Sequence, residues 1–398
     1  MRWLLALGVL VTVAACGTTP TAAVQSPVPS ASTRQSAETT TQHGGSTDAA
    51  SPSPQETPQK IAQHSYAVLL DLFATPGSYN IALAGASGRV VARATATQRT
   101  SIDDAIELPY VSASTSHVYY LDGDQTVRYL NADGTTGKVT TIAGGPKIHA
   151  TFAVTPDDKR IAVGLLDYSV NPVRLTIYVE DLGGAHHAVI FTSNNHYVWP
   201  VAWHGGRLVV AYLGPNAVPF KSKALLYGNG DLITYPLGPS PYGGINFHVI
   251  NPVTAVREAI ISGGGASGLL SKAGTAVVQG DATDWSGNWI NWNSPHDYGT
   301  FSAAGSLSPD GLKIAACCPV PSGRGQLVIW YQDDVTKVLP VTVTSVDWVG
   351  WLDDDHLVTG FYRAEDGTPS LVELSSGSVS PIDAHGIVVA IFPSNLEP

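Results

Sequence analysis

Two textures divide the chain. From Tyr66 onward, apolar residues come in short runs, some continuous and some alternating with polar residues, and each run is stopped by Gly, Asp, Asn or Pro. YAVLLDL at 66–72, RVVARATA at 89–96, HVYYLDG at 117–123, RLTIYVEDLGG at 174–184, RLVVAYLG at 207–214 and QLVIWYQDD at 326–334 show the habit. Successive side chains of a strand point to opposite faces, so alternation and short apolar runs closed by turn formers predict β-strands. Nothing beyond residue 65 sustains a helical period of about 3.6 residues for long, and helices are not expected. The stretch 17–64 is different: Thr, Ser, Ala, Pro and Gln dominate it and no apolar period survives. Such a segment cannot bury enough surface to offset its ordering entropy, which predicts a disordered tether. As a flexible coil it would hold the following domain roughly 35 to 40 Å from its attachment point.

Among the strand-like runs the same phrase occurs twice, as VTPDDKRIAV at 154–163 and as LSPDGLKIAA at 307–316. In each copy a turn, Thr155-Pro156-Asp157-Asp158 or Ser308-Pro309-Asp310-Gly311, precedes a basic residue and an apolar strand. Pro presets φ at the second turn position, Asp bonds the backbone beyond it, and Gly311 tolerates positive φ. HGGRLVVAY at 204–212, LDDDHLVTGF at 352–361 and TSHVYYLDG at 115–123 keep the turn and the strand after it. A four-stranded unit recurring at about forty to forty-five residues is the mark of a propeller blade. The pattern resembles the TolB-type, WD-repeat-like propellers of exported bacterial proteins, carried by Ser308, Pro309, Asp310, Gly311, Lys313, Ile314 and Ala315. Thr155, Pro156, Asp157, Arg160, Ile161 and Ala162 match too, with Asp158 in place of the glycine. The resemblance implies an all-β fold: a β-propeller of about seven four-stranded blades, six to eight being the expected range, over residues 65–398. The stretches 238–262 and 280–300 read as insertions, and HGIVVAIFP at 385–393 as a strand that joins the last blade to the first. Such closure leaves no long free sheet edge, and a monomer is expected.

The first residues give an address. Arg2 precedes the apolar run WLLALGVLVTV, which is too short to span a bilayer as an ordinary helix. It leads into Val13-Ala14-Ala15-Cys16-Gly17, which resembles the bacterial lipobox. That resemblance implies a signal peptide over 1–15, an acylated Cys16 opening the mature chain, and a tether over 16–64. The simpler alternative is a plain secretory signal with an incidental cysteine. The expected location is extracytoplasmic, lipid-anchored to the bacterial cell membrane, with no cofactor beyond the covalent lipid. More than one acyl chain on the cysteine would meet the need for a stable anchor.

Composition removes some classes of partner. The 398 residues carry a formal net charge of −11, with 40 Gly, 27 Pro and a single Met. A nucleic-acid partner needs clustered Lys and Arg and is not expected. Cys317 and Cys318 are adjacent, so they could form a vicinal disulfide in an oxidising compartment, or stand as two thiols on opposite faces of a strand. No other Cys or nearby His offers metal-ligand spacing with them, and no metal site is expected.

Few motifs suggest chemistry. Gly263, Gly265 and Gly268 form a literal G-x-G-x-x-G, but LLSKAGTAVVQG after it reads as strand and turn rather than the helix a dinucleotide loop needs. DWSGNWINWNSPHDYG at 284–299 is the leading ligand candidate. Trp285, Trp289 and Trp292 beside Asn291 and His296 would suit a sugar, an aromatic ligand or a protein contact, while wedging of the tryptophans between blades is the structural alternative. His186 and His187 would face opposite ways on a strand, or sit in a turn, and do not chelate as a pair. Asp353, Asp354 and Asp355 read as a solvated turn. No G-x-S-x-G elbow is present, no catalytic residue stands out, and an enzyme is not the first expectation. The reading is a membrane-anchored binding or scaffold module for a protein, peptide or glycan. The alternative is a propeller enzyme of lyase, lactonase or cyclase type, with an acidic or metal-assisted site in the central channel.

Overall fold

The computed structural model describes residues 65–213, 218–220, 226–227, 231–232, 246–263, 269–270, 275–278, 281–284, 305–310, 312–317, 324–331, 336–344, 348–360 and 368–393. Every regular element among them is a strand. The signal and tether expected over 1–64, and with them Cys16, lie outside the described residues.

Blade 1 is a sheet in the order β29 (Ile387–Phe392), β1 (Tyr66–Thr75), β2 (Ser78–Gly85) and β3 (Val90–Thr97). Blade 2 holds β4 (Val111–Ala113), β5 (Val118–Asp122), β6 (Thr126–Leu130) and β7 (Thr136–Thr141). Blade 3 holds β8 (Ile148–Val154), β9 (Arg160–Asp167), β10 (Arg174–Asp181) and β11 (Ala188–Ser193). Blade 4 holds β12 (Val198–His204), β13 (Arg207–Tyr212), β16 (Asn246–Ile250) and β17 (Arg257–Gly263). The short hairpin of β14 (Leu226–Tyr227) and β15 (Asp231–Leu232) belongs to the connection between β13 and β16. Blade 5 shows three strands among the described residues, β18 (Leu269–Leu270), β19 (Thr275–Val278) and β20 (Asp281–Asp284). Blade 6 holds β21 (Gly305–Leu307), β22 (Lys313–Cys317), β23 (Arg324–Tyr331) and β24 (Thr336–Thr344). Blade 7 holds β25 (Trp348–Trp351), β26 (His356–Gly360), β27 (Ser370–Glu373) and β28 (Val379–Pro381).

Each sheet is an antiparallel meander, and the first strands of successive blades lie side by side: β29 against β4, β4 against β8, β8 against β12, then β18 against β21, β21 against β25 and β25 against β29. This is a β-propeller. The C-terminal strand closes it, because β29 pairs with β1 from Tyr66↔Phe392 to Leu70↔Ile387, as the run HGIVVAIFP predicts. Gly386 makes that seam feasible. Its φ is +115°, and a side chain there would run into the Leu70 backbone.

Burial explains the two strand textures. Inner strands are covered on both faces by neighbouring blades, so they are mainly apolar: Ala67, Val68, Leu69 and Leu70 are all buried in β1. Outer strands have a wet face, and β3 accordingly alternates, burying Ala92 and Ala96 while Val91 is exposed. Where blades 3 and 4 meet, an added Cβ on Gly164 would lie 2.7 Å from Pro200 Cδ.

Two readings of insertions are corrected. The first residues of the stretch 280–300 are not inserted, because Asp281–Asp284 is strand β20 of blade 5. The stretch 238–262 reads as an insertion in the sequence, yet Asn246–Ile250 and Arg257–Gly263 are the outer strands β16 and β17 of blade 4. The inserted chain is the segment between Tyr212 and Asn246. Polar residues on the wet face of an outer strand, as in Arg257-Glu258-Ala259, disguise it as loop.

Candidate functional site

The meander topology sorts the connections onto two ends of the ring. At one end lie the turns within blades that join a first strand to a second or a third to a fourth. At the other lie the connections between blades and those joining second to third strands.

The first end is built from the repeated phrase. Thr155 Oγ1 accepts the backbone N–H groups of Lys159 and Arg160 at 3.1 and 2.9 Å. Ser308 Oγ likewise accepts the N–H of Lys313 at 2.9 Å, and Ser114 Oγ accepts those of Ser116 and His117 at 3.1 and 2.9 Å. These hydroxyls are buried, so the bonds satisfy donors that water cannot reach. Asp158, which replaces the glycine, takes a φ of +60°, a conformation that Asp tolerates better than most residues. The turns also bond across blades. Thr115 N–H donates to the Pro156 carbonyl at 3.1 Å, Tyr119 Oη to Asp158 Oδ1 at 2.8 Å, and Asp310 N–H to Asp354 Oδ1 at 3.0 Å.

Histidines at this end pair with carboxylates. His117 Nδ1 is 3.6 Å from Asp158, His186 Nδ1 is 2.6 Å from Asp181, His187 Nδ1 is 2.8 Å from Glu180, and His356 Nδ1 is 2.8 Å from Asp353. His186 and His187 occupy the turn before β11, His186 at φ +53°, rather than opposite faces of a strand. Asp353 to Asp355 form the expected turn, but it is tied into the blade rather than merely solvated. Asp353 Oδ1 accepts the N–H groups of Asp355 and His356 at 2.8 and 2.9 Å. One ligand atom from each of Asp355, His356 and Glu373 lies within 4.8 Å of the others, a group that could hold a metal ion.

The opposite end is organised by the connection 98–110 between β3 and β4, which reaches four blades. Gln98 Nε2 donates to the Leu72 carbonyl of blade 1 at 2.5 Å. Thr100 bonds Asp124 of blade 2 through its N–H at 2.7 Å and its hydroxyl at 2.8 Å. Arg99 Nη1 donates to the Ala150 carbonyl of blade 3 at 2.8 Å, and its Nη2 to that of Leu108. Ile106 N–H donates to Pro219 in the β13–β16 connection of blade 4 at 3.3 Å.

Arg99 is the centre of this assembly. It is buried, its guanidinium carbon lies 3.9 Å from the centroid of the Tyr110 ring, and Glu107 is 3.9 Å away. Burial alone would lower its pKa, but Tyr110 and Glu107 outweigh that and raise it, so the charge persists. His149, at the start of β8, responds in the other sense. Burial first, then the Arg99 charge, lowers its pKa to about 4, against the opposing hydrogen bond to the Thr100 carbonyl. That bond, 3.1 Å from Nε2, places the proton of the neutral ring on Nε2.

None of the sequence-predicted ligand residues, Trp285, Trp289, Asn291, Trp292 and His296, falls among the described residues, nor does Cys318. Cys317 ends β22, and its side chain is likewise outside them. Sequence reasoning missed the Arg99 assembly and the His356–Glu373 pairing. The second had a usable signal, an Asp-His step opening one strand of a hairpin with a Glu closing the next.

No protein-family model matches the chain, and no curated protein matches it. Among solved structures it is similar to TolB from Acinetobacter baumannii, at 15% identity and TM-score 0.38 over 82% of this chain and 66% of that one. It thus spans just under two thirds of the TolB chain. It is also similar to an oligogalacturonate lyase in complex with manganese, at 10% identity and TM-score 0.33 over 76% of this chain and 73% of that one. A third likeness is the uncharacterized protein lmo1340 from Listeria monocytogenes EGD-e, at 10% identity and TM-score 0.43 over 81% and 92% of the two chains.

Proposed function

We propose that this propeller is a lipid-anchored, extracytoplasmic binding module that engages a protein, peptide or glycan at the end bearing the long connections. The observation that supports it is the Arg99 assembly. A connection held to four blades by side-chain and backbone bonds gives the residues beside it, such as the exposed Ser101 and Asp103, a fixed position before any partner arrives. Loops on a rigid scaffold are favourable binding elements, because little ordering entropy remains to be lost on association. The anchor rests on Arg2, the apolar run after it and the small-residue site before Cys16.

The experiment is site-specific photo-crosslinking in intact cells. Crosslinkers at Ser101, Asp103 and Asn171 sample the long-connection end, and crosslinkers at Asp133, Gly183 and Ser375 sample the opposite one. The proposal expects conjugates from the first set, with glycosidase treatment separating a glycan from a polypeptide partner. Conjugates from the second set alone, or from neither, overturn it.

A further inference from the structure

We propose that Asp355, His356 and Glu373 form a binding site for one divalent first-row transition ion at the turn end of blade 7. The β26–β27 register sets His356 directly opposite Glu373, so both side chains leave the same face of the sheet. Asp355 immediately precedes His356, and the Leu374 N–H holds its carbonyl at 2.8 Å, tying the two turns of the blade together. The three ligand atoms then fall within 4.8 Å of one another, so a small side-chain adjustment would bring them to the roughly 3.0 to 3.6 Å mutual spacing that a shared ion at about 2.0 to 2.2 Å requires.

The chemistry of the set favours such an ion. One imidazole with two carboxylates matches zinc or manganese, whereas calcium prefers an all-oxygen shell. Asp353 faces His356 Nδ1 with both oxygens, at 2.8 and 2.9 Å, which leaves Nε2 as the coordinating nitrogen. A carboxylate behind a histidine is how metal-bound imidazoles are oriented and made more basic. Charge argues the same way. Among the described residues, Asp355 and Glu373 have no Lys or Arg partner. Ser375 donates to Asp355 at 2.8 Å and to Glu373 at 3.3 Å, and Ser376 and Ser378 donate to Glu373 at 2.6 and 3.1 Å, so each carboxylate keeps its charge and has acceptor sites left for a cation. The nearby Lys313 is committed to Asp310 and the Asp354 carbonyl, at 3.0 and 3.1 Å. A cation would therefore meet oriented ligands and uncompensated negative charge.

The test uses the full chain, titrated calorimetrically with zinc, and with cobalt as a spectroscopic substitute. The expected result is one equivalent of zinc bound, a rise in thermal stability on binding, and a cobalt spectrum of mixed nitrogen and oxygen coordination. Glu373→Gln and His356→Gln should each weaken zinc binding more than about tenfold, and Asp353→Asn, acting through the imidazole, by roughly 10- to 100-fold. His186→Gln, at a different exposed histidine–carboxylate pair, should leave affinity within about twofold. Absence of zinc binding by the folded wild-type chain overturns the site, as does unchanged affinity in folded Glu373→Gln or loss of affinity in His186→Gln. If a blade 7 variant fails to fold, the wild-type cobalt spectrum still decides, since one without a histidine ligand excludes it.

Discussion

The guanidinium carbon of Arg160 lies 4.9 Å from the ring centroid of Trp203, across the boundary between blades 3 and 4. The same relationship recurs between blades 6 and 7, where Lys313 Nζ is 5.7 Å from the Trp351 ring. Arg160 and Lys313 hold the same place in the two repeated phrases, and the tryptophans lie at the end of the first strand of the next blade, Trp351 as the last residue of β25 and Trp203 as the last but one of β12. Trp203 also donates from Nε1 to the Ala153 carbonyl at 3.0 Å, bonding its blade to the one before. The repeated phrase thus builds a turn and supplies a cation for the neighbouring blade's aromatic face.

Arg160→Ala and Lys313→Ala should each cost about 1 kcal/mol in denaturant unfolding, and the costs should add, since the two contacts share no partner. Trp203→Ala should cost more, on the order of 3 to 5 kcal/mol, because it also removes a buried side chain and leaves the Ala153 carbonyl without its donor. Equal stabilities for wild type and the Arg160 and Lys313 variants would show that the two contacts contribute nothing.

Gly164→Ala should destabilise the chain by roughly 1 to 3 kcal/mol, because the new methyl would be forced against Pro200 and Thr151 in a packed blade boundary. Gly183→Ala, with nothing within 4 Å of the added carbon, should stay within about 0.5 kcal/mol of wild type. Urea unfolding of both variants makes the comparison.

His149 gives stability a pH dependence of definite sign. Its folded pKa is depressed to about 4 from the ordinary 6.5, so below 6.5 the unfolded state binds the proton more readily. The contribution is complete above pH 6.5 and is lost as pH falls through about 4, with a total on the order of 3 kcal/mol. His248, whose pKa burial, Arg257 and His196 also lower to about 4, acts in the same window. Denaturation midpoints at a series of pH values should therefore fall between pH 6.5 and 4, and less steeply in His149→Gln than in wild type.

Replacing Cys16 by Ser should move the protein from the membrane fraction to the soluble one, as cell fractionation would show. Retention of that variant in the membrane would refute acylation at Cys16.

Much of the ring was legible because its requirements are local. Strands covered on both faces are mostly apolar, and a turn with a buried hydroxyl, a fixed φ and a carboxylate is readily spelled Thr-Pro-Asp or Ser-Pro-Asp, as at 155–157 and 308–310. The outer strands β16 and β17 were harder to read, since one wet face let polar residues such as Glu258 break the pattern. The Arg99 assembly was not legible at all. Glu107 is near it in sequence, but Ala150 and His149 belong to another blade and come close only through blade packing. His356 and Glu373 likewise meet only when the β26–β27 register is known.

Closure of the ring by β29 against β1 fixes the whole architecture. The register sets Val68 opposite Ala390, and directly opposed residues of an antiparallel pair bring their Cβ atoms within about 4.5 to 5.5 Å. In the double variant Val68→Cys, Ala390→Cys, mild oxidation followed by peptide mass spectrometry should find residues 68 and 390 joined by a disulfide. Val68→Cys with Val379→Cys, on the outer strand of blade 7, should show no such link. Free thiols at 68 and 390 in the folded, oxidised protein would contradict a closed propeller.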